Sequence, residues 1–333
     1  MKDIITLDYG SGGKKTSKLI EEMIVPLLKN DALCELGDGA VIPGAEQLTF
    51  STDSFVVSPC FFPGGDIGKL SVCGTVNDVS MAGGEAKFLS LSFIIEEGFP
   101  VEDLRKIIDS VRGTAEKAGV FVVTGDTKVV ERGKGDGIYI NTAGIGYLKC
   151  PGLSPKKLRE GDTVLLSGTA GDHGAAVMLA RESNLVEGGI KSDCAPLGEL
   201  CRGLFTLGED LRVLRDPTRG GVATTLCEFV EGSALSIELS EDKIPVRSEV
   251  KSACDILGLD PLYCANEGKL LAVVAPERAQ KALEIMRSFD VGAEAAIIGK
   301  VTESYPGKVI MTTAFGGSRV ITKLYGAQLP RIC

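Results

Sequence analysis

Hydrophobic positions recur at helical spacing in some parts of the chain and form short runs in others. Residues 101–118 place apolar side chains three and four positions apart and are followed by Gly119, which predicts an amphipathic helix with a glycine C-cap. The same spacing predicts helices at 14–29, 66–82, 196–213, 219–231 and 277–288, and one that ends near Asn184. Apolar runs predict strands at 47–57, 89–95, 120–124, 137–148, 163–167, 235–239, 269–275, 296–302 and 308–313.

Helices and strands are mixed along the whole chain, and this mixture predicts an α+β fold with largely antiparallel or mixed sheets. The 333 residues suit two domains of about 150 residues each. The polar segment 149–162 has two prolines and two glycines and therefore predicts a boundary. We expect an N-terminal domain at 1–149, a C-terminal α/β domain at 150–325 and a mobile tail at 326–333.

Composition excludes several classes of function. The net charge is −9, so the chain lacks the basic surface that nucleic-acid binding requires. No stretch approaches the roughly 20 apolar residues of a membrane span, and the N-terminus does not resemble a signal peptide, so we expect a cytoplasmic protein. The ten cysteines form no CxxC pair, which gives no support to a zinc ribbon or a thioredoxin-like motif.

Several aspartates lie in turns rich in glycine or threonine. Most isolated aspartates in such places cap turns, but five of them suit a Mg–ATP site without a P-loop. They are Asp38, Asp53, Asp78, Asp126 and Asp216. The segment Gly10 to Gly13 precedes a helix and is a candidate phosphate loop, although an ordinary flexible turn explains it equally well.

Three charged or titratable residues are candidates for chemistry. Lys128 follows an apolar strand and Glu267 precedes one, and each is a surface charge or, if both face one pocket, a proton-transfer group. His173 is the single histidine, which excludes a Ser-His-Asp triad and a histidine-rich metal site. We expect His173 to have a structural role, through capping or a turn hydrogen bond.

Cys333 is the last residue of the sequence. A terminal cysteine is exposed by default and can react, although an accidental tail cysteine is common. Arg331 favours its thiolate, while the terminal carboxylate opposes it.

Long motifs in the same order make the chain resemble the HypE family of hydrogenase maturation proteins over essentially its whole length. The motifs are STDSFVVSPCFFPGGDIGKLSVCGTVNDVSMAGG, LSFIIEEGFP, VTGDTKVVERGKGDGIYINTAGIG, SGTAGDHG, RDPTRGGVAT, LGLDPLYCANEGKL and PRIC. The resemblance implies the fold of aminoimidazole ribonucleotide synthetase, thiamine-monophosphate kinase and selenophosphate synthetase. In this PurM-like fold the N-terminal domains of a homodimer form a shared barrel, ATP binds near the dimer interface, and a C-terminal tail is flexible.

The resemblance also implies roles for individual residues. Cys333 matches the modified terminal cysteine, and Lys128 and Glu267 match the proton-transfer positions. Magnesium is implied at Asp38, Asp53, Asp78 and Asp216. ATP is implied at Gly10, Gly12, Gly13, Asn77, Asp126, Thr127, Arg219 and Gly220. The chain has DYGSGG where the family usually has HGxGG, which puts any role of that histidine in doubt here.

The implied activity is ATP-dependent dehydration of a carboxamide on Cys333 to a cyanide, which supplies the cyanide ligands of the [NiFe]-hydrogenase iron. The implied partners are the carbamoyltransferase HypF, which loads Cys333, and the HypC–HypD complex, which receives cyanide on iron.

Two other functions remain open from the residues. A phosphotransferase of the same fold, such as a selenophosphate synthetase, usually has a reactive cysteine near its N-terminus, whereas the first cysteine here is Cys34. A non-enzymatic carrier that uses only Cys333 predicts no ATP turnover, and the aspartate set disfavours it.

Overall fold

The computed structural model describes residues 4–181, 189–324, 326 and 331–333. Within them the chain forms two large sheets, one from each half, with helices packed against both, and a two-stranded antiparallel sheet of residues 61–66. The four-stranded sheet belongs to residues 48–148 and the seven-stranded sheet to residues 163–321. The predicted α+β class with mixed sheets is confirmed.

The first half contains five helices and six strands. The helices are α1 (Lys14–Leu19), α2 (Val25–Leu28), α3 (Asp31–Cys34), α4 (Ile67–Met81) and α5 (Val101–Ala118), with a π-helical turn, Ile20–Ile24, between α1 and α2. The strands are β1 (Leu48–Phe55), β2 (Phe61–Phe62), β3 (Gly65–Asp66), β4 (Gly84–Glu96), β5 (Phe121–Val130) and β6 (Ile138–Leu148).

The sheet of the first half has the order β1-β6-β4-β5. Its β1–β6 and β6–β4 pairs are antiparallel, and β4–β5 is parallel. Alternate residues of β6 are buried, as expected when helices cover one face. The other face keeps large apolar side chains exposed, among them Phe50, Ile94 and Phe121.

Helix α4 is the central helix of the molecule, because every residue in it except Lys69 and Asp78 is buried. Its N-cap is Asp66, whose carboxylate accepts hydrogen bonds from the amides of Gly68 and Lys69. A Cβ added at Gly68 would lie 2.3 Å from the carbonyl oxygen of Ile107 in α5. Glycine is therefore required for α4 and α5 to pack this closely.

The described residues of the second half contain five α-helices and seven strands. The helices are α6 (Asp172–Arg181), α7 (Gly198–Phe205), α8 (Gly221–Val230), α9 (Ser248–Leu257) and α10 (Ala279–Arg287). The strands are β7 (Thr163–Leu166), β8 (Leu211–Arg215), β9 (Ser236–Ser240), β10 (Leu271–Val274), β11 (Ala296–Thr302), β12 (Val309–Thr312) and β13 (Ser318–Ile321).

The sheet of the second half has the order β13-β12-β9-β11-β7-β10-β8 and is covered on both faces. Val164 and Leu166 of β7 pack with Leu226 of α8, whereas Leu165 packs with Leu204 of α7 on the opposite face. Strands buried on both sides read as continuous apolar runs, which is why TVLLS and LLAVV were recognisable in the sequence.

Two expectations from the sequence were wrong in detail. The predicted helix at 196–213 ends at Phe205, and Leu211–Arg215 is the strand β8. Gly208 lies between them with φ +58°, a conformation that interrupts the helix. Helix α9 was not predicted from the sequence. The residues predicted to extend α6 toward Asn184 lie outside the described part of the chain.

In the described ranges, no helix has both the length and the apolarity needed to cross a bilayer. The cytoplasmic location stays a prediction.

Candidate active site

The C-terminal residues lie against the segment that follows β1. The amide of Val56 donates to the carbonyl oxygen of Cys333 at 3.0 Å, and the amide of Ser58 donates to that of Arg331 at 3.3 Å. The partners run in opposite directions, so the end of the chain pairs as a short antiparallel strand. The structure therefore describes one docked position of the terminal residues, and the predicted mobility of the tail stays a prediction.

The docked Cys333 is surrounded by titratable groups from both halves of the chain. Burial raises the pKa of its thiol to about 12, and the negative charges of Glu267 and Asp53 act in the same direction. Arg219 is the neighbouring group that lowers this pKa. Three predicted site residues, one from the first half and two from the second, therefore lie close to the sulfur.

Glu267 lies in the turn before β10, only 3 % exposed, and its Oε1 has no hydrogen-bond partner among the described residues. Burial raises the pKa of this carboxyl well above its ordinary value, and Asp216, Asp193 and Asp53 raise it further. A buried carboxyl without a partner is costly to a fold. The Oε1 of Glu267 is therefore available to bind a ligand or a proton.

The backbone around Glu267 is fixed by residues that the sequence analysis missed. Asp193 accepts hydrogen bonds from the amides of Glu267 and Gly268 at 3.2 and 3.1 Å. The ammonium of Lys269 lies 3.6 Å from the same carboxylate. A Cβ at Gly268 would lie 1.9 Å from the carbonyl oxygen of Asp193, so NEGK requires its glycine. Lys269 was visible in that motif, whereas no local signal marked Asp193.

Three predicted metal-binding aspartates converge in the structure. Asp53 is on β1, Asp78 is on α4 and Asp216 follows β8. Burial raises the pKa of Asp216 to about 7, with Asp78 raising it further. The pKa of Asp78 and that of Asp53 are also raised, mainly by burial. We call these three residues, with Glu267 and Cys333, the acidic group.

Asp78 raises the pKa values of Asp53 and Asp216 by repulsion, and a cation beside these carboxylates would relieve that repulsion. No set of three or more His, Cys, Asp or Glu side chains in the described ranges is arranged to hold a metal ion by itself. Magnesium is commonly held by one or two carboxylates together with phosphate oxygens and water. The side chains that are present fit that mode of binding.

The fourth predicted metal ligand, Asp38, lies elsewhere. It is exposed, and its neighbours Gly37 and Gly39 line a cavity of about 200 Å³ between the N-terminal helical segment and strands β4 and β5. Asp126 and Thr127 line the same cavity. Asp38 is thus placed with predicted ATP-binding residues rather than with the acidic group.

The glycine-rich loop lies beside β5. A Cβ at Gly10 would lie 2.4 Å from the amide nitrogen of Val129, so only glycine allows this approach. Gly12 has φ +77° and donates its amide to the hydroxyl of Thr16 at 3.1 Å. Gly13 is the residue before α1. These three glycines therefore belong to the surface around Asp126.

Lys128 is exposed on β5 and its ammonium lies 2.7 Å from Asp126, which lowers the pKa of that carboxyl. Among the described residues Lys128 makes no hydrogen bond to Glu267 or Cys333. Asp53 pairs with Thr142, Thr142 with Leu91, and Leu91 with Gly125. Three strand spacings therefore separate Asp53 from this part of β5, or about 14 Å.

Three other predicted nucleotide residues have different settings. Asn77 is buried, and its amide group donates to the carbonyl of Ala195 and accepts from the amide of Leu197. Its hydrogen bonds thus join α4 to the second half of the chain. Arg219 lies close enough to Asp53, Asp78 and Cys333 to change their pKa values. Gly220, with φ +77°, is the residue before α8.

His173 is fully buried rather than a simple turn or cap residue. Its Nδ1 lies 2.8 Å from the hydroxyl of Ser192, and its Nε2 lies 2.8 Å from the carbonyl oxygen of Ile332. The expected structural role therefore includes a contact with the docked C-terminus, which separation along the sequence had concealed.

Both halves of the chain match models of known protein families. The family model described as "AIR synthase related protein, N-terminal domain" matches residues 36–148, and the corresponding C-terminal domain matches residues 159–312. The carbamoyl dehydratase HypE of Azotobacter vinelandii is 49 % identical over 99 % of this chain and 97 % of its own length. The Escherichia coli K12 protein of the same name is 42 % identical over 99 % of both.

Solved structures agree with the sequence relatives. A crystal structure of the hydrogenase maturation protein HypE in complex with ATP is 46 % identical, with a TM-score of 0.94 over 98 % of this chain and 99 % of that one. The chain from a HypE–HypF complex is 52 % identical, with a TM-score of 0.80 over 92 % of this chain and 99 % of that one. With matches at this identity over nearly its full length, the chain belongs to the HypE family of hydrogenase maturation proteins.

Proposed function

We propose that the chain is an ATP-dependent carbamoyl dehydratase that converts a carboxamide on the sulfur of its own Cys333 into a cyanide. The cyanide is destined for the iron of a [NiFe]-hydrogenase. The observation that carries the proposal is the position of Cys333, docked beside the unpartnered carboxyl of Glu267. Relatives named carbamoyl dehydratase support the reaction class.

The reaction needs an activated oxygen, because the oxygen of an amide is a poor leaving group. ATP, which a solved relative binds, supplies a phosphoryl group for that oxygen. Overall, the S-carboxamide and ATP give the S-cyanide, ADP and phosphate, and the two nitrogen protons are lost. Docking places the substrate beside the acidic group without a separate binding step.

Glu267 is assigned to proton removal from the amide nitrogen. Its burial raises the pKa of this carboxyl, so its carboxylate form would be a stronger base than that of an ordinary glutamate. Lys128 is assigned to the same step with Glu267. Because Lys128 pairs with Asp126 on β5, its part requires a rearrangement or a second subunit.

The bound nucleotide is assigned to the space between the acidic group and the glycine-rich loop. Asp53, Asp78 and Asp216 would hold magnesium, which would neutralise charge on the phosphates. The part of Asp38 in holding magnesium requires a rearrangement or a second subunit, because its neighbours line the cavity beside β5. Arg219 and Gly220 would bind the nucleotide on one side, and the residues beside the cavity would bind it on the other. Those residues are Gly10, Gly12, Gly13, Asp126 and Thr127. Asn77 would act by fixing the loop that carries Glu267. The side-chain amide nitrogen of Asn77 lies 3.4 Å from the carbonyl oxygen of Glu267.

Loading of Cys333 requires the tail to leave this site. A buried thiol with a pKa of about 12 is almost fully protonated at neutral pH and is a poor nucleophile. We therefore assign residues 326–333 to a segment that moves between a carbamoyltransferase, HypF, and the docked position. The solved HypE–HypF complex of a relative supports this partner. A HypC–HypD complex is the proposed acceptor of the cyanide.

Residues 1–149 are assigned to nucleotide binding and dimerisation, and residues 150–325 to the rest of the site. The exposed apolar face of the first sheet supports a homodimer.

Mass spectrometry of the C-terminal peptide tests the proposal. After incubation with HypF, carbamoyl phosphate and ATP, the peptide should first gain one carboxamide and then lose one water. Glu267→Gln should stop at the carboxamide, whereas Glu277→Gln, an exposed control in the 3-10 turn before α10, should complete both steps. Cyanide formation by Glu267→Gln at the normal rate would remove Glu267 from the mechanism, and no adduct on Cys333 would end the proposal.

A further inference from the structure

Each of the last three carbonyl oxygens of the chain accepts a hydrogen bond from the body of the protein. Ser58 donates to the carbonyl of Arg331, His173 to that of Ile332, and Val56 to that of Cys333. The side chain of Ile332 is 3 % exposed and belongs to the hydrophobic core of the first half. The docked end is therefore held by its main chain and by one apolar anchor.

Helix α6 supplies both side-chain donors in this arrangement. His173 is in its first turn, and Arg181 is its last residue. The guanidinium of Arg181 donates to the carbonyl of Ser58 at 2.6 Å through Nε and to the carbonyl of Arg331 through Nη2. Arg181 thus bridges the two strands of the short pairing, with one hydrogen bond to the tail and one to the body.

The hydrogen-bond network fixes the tautomer of His173. The hydroxyl of Ser192 accepts from the amide of Cys194 at 3.0 Å, so its own proton is free for Nδ1 of His173. His173 is fully buried, and burial lowers its pKa, so the ring is neutral with its proton on Nε2. That proton points to the carbonyl oxygen of Ile332.

Arg331 adopts a backbone conformation that a residue with a side chain rarely takes, with φ +52°. Its Nε donates to the carbonyl of Val56 at 3.0 Å, and its Nη1 pairs with Asp136. Hydrogen bonds of the main chain and the side chain of Arg331 thus specify the docked conformation. The loss of a few of these hydrogen bonds would change how often the C-terminal segment undocks.

We propose that His173 and Arg181 are positioning residues that hold the C-terminal segment by its main-chain carbonyls, with Ile332 as the anchor. None of these contacts involves the sulfur of Cys333. The main-chain hydrogen bonds and the Ile332 anchor therefore hold the segment without using the thiol. The role of this docking in the reaction rests on the proposed function, but docking itself can be measured without assuming that function.

The rate at which Cys333 is alkylated measures docking directly. Lys-C cleavage after Lys323 releases residues 324–333, in which Cys333 is the one cysteine, so its labelling by iodoacetamide can be followed by mass spectrometry. Loss of one net hydrogen bond raises the open fraction about fivefold. Arg181→Gln can keep a donor at the position of Nε but is too short to reach the carbonyl of Arg331, and His173→Phe has no donor. We expect each of these two changes to raise the rate by about that factor, and Ile332→Ala by more.

Two conservative changes and one control sharpen the test. His173→Gln and Arg181→Lys each keep a donor and should restore part of the protection. Arg287 also donates two hydrogen bonds to one carbonyl oxygen, that of Ala295, in a region away from the tail. Arg287→Gln should leave the alkylation rate of Cys333 within twofold of the original chain.

The chain carrying a preloaded carboxamide gives the second readout. At saturating ATP, Arg181→Gln should slow the single-turnover dehydration while loading by HypF is kept or accelerated. A merely structural role would slow both steps.

Unchanged alkylation in both Arg181→Gln and Ile332→Ala would overturn the inference, even if His173→Phe failed to fold. Altered alkylation in a chain that never forms cyanide would leave the inference standing and overturn the proposed function instead.

Discussion

At the scale of single residues, the site is a collection of carboxyls that oppose one another. Asp216 is 6 % exposed, and its pKa is raised to about 7 by burial and by Asp78. A raised carboxyl pKa means that the folded chain binds a proton more tightly than the unfolded chain. The contribution of Asp216 to stability is therefore greatest at low pH and is lost as pH rises from about 4 to about 7.

We predict that Asp216→Asn flattens this pH dependence and stabilises the nucleotide-free protein at pH 7.5 by up to about 4 kcal/mol, from roughly three pKa units at about 1.4 kcal/mol each. Chemical denaturation at pH 5 and pH 7.5 measures the effect, which should be larger at the higher pH. Asp255→Asn, at an exposed position on α9, serves as the control. An equal shift in both variants, or none in Asp216→Asn, would contradict the assigned environment.

The candidate site residues differed in how visible they were in the sequence. Cys333, Glu267, Asp53, Asp78 and Asp216 lie in long motifs, and the structure brings all five together. The contact between Arg181 and Arg331 was not visible, because it joins residues 150 positions apart through a main-chain oxygen. Hydrogen bonds to carbonyl groups leave no pattern of residue types, so such contacts escape analysis of a single sequence.

At the scale of elements, α4 shows how small residues set the distance between layers. Gly68 faces the backbone of α5 at a distance that excludes any Cβ, and Gly74 faces the ring of Phe55 in the same way. Because α4 also carries Asp78 and Asn77, its position determines where the acidic group forms.

We predict that Gly68→Ala destabilises the fold by about 1–3 kcal/mol, because the new Cβ would displace α5. The matched control is Gly113→Ala in α5, where a Cβ would meet no atom within 4 Å. This exposed helical position should gain up to about 1 kcal/mol from the higher helix propensity of alanine. Thermal unfolding compares the two, and a stabilised Gly68→Ala would show that the helices can separate freely.

Element types were predictable where periodicity was strong. Helix α5 begins and ends where its pattern and Gly119 indicated, with Gly119 at φ +68° as the C-cap. The segment 196–213 misled because Leu207 and Leu211 continue the helical spacing of apolar residues through the turn at Gly208 into a buried strand. Continuous burial removes the alternation that distinguishes a strand from a helix, and tertiary packing then decides.

At the scale of the whole molecule, the first sheet has one covered face and one open face. Phe50, Ile94 and Phe121 are 68 %, 45 % and 56 % exposed on its strands. An open sheet face with large apolar side chains is typical of an interaction surface. In the proposed homodimer this face is buried against a second copy.

We predict that Phe50→Asp converts a dimer into a monomer or weakens it at least tenfold, because a buried, unpaired carboxylate is costly. Light scattering coupled to size-exclusion chromatography measures the mass. Phe315→Asp is the control, since Phe315 is fully exposed in the second half of the chain. A monomeric original chain, or a Phe50→Asp dimer of unchanged stability, would reject this surface as the interface.

In the proposed reaction, the pairing of the last residues with the segment after β1 would also determine the kinetics. A substrate joined to its own pocket reacts in a first-order process whose rate constant does not fall on dilution, provided that the subunit assembly persists. The fraction of pockets that hold substrate is set by the tether and not by the concentration of a free substrate in the cell. A small inhibitor that mimics the thiocarbamate would therefore compete with the tethered C-terminal segment, which is always present at high local concentration. An inhibitor that binds the nucleotide site would not compete with that segment.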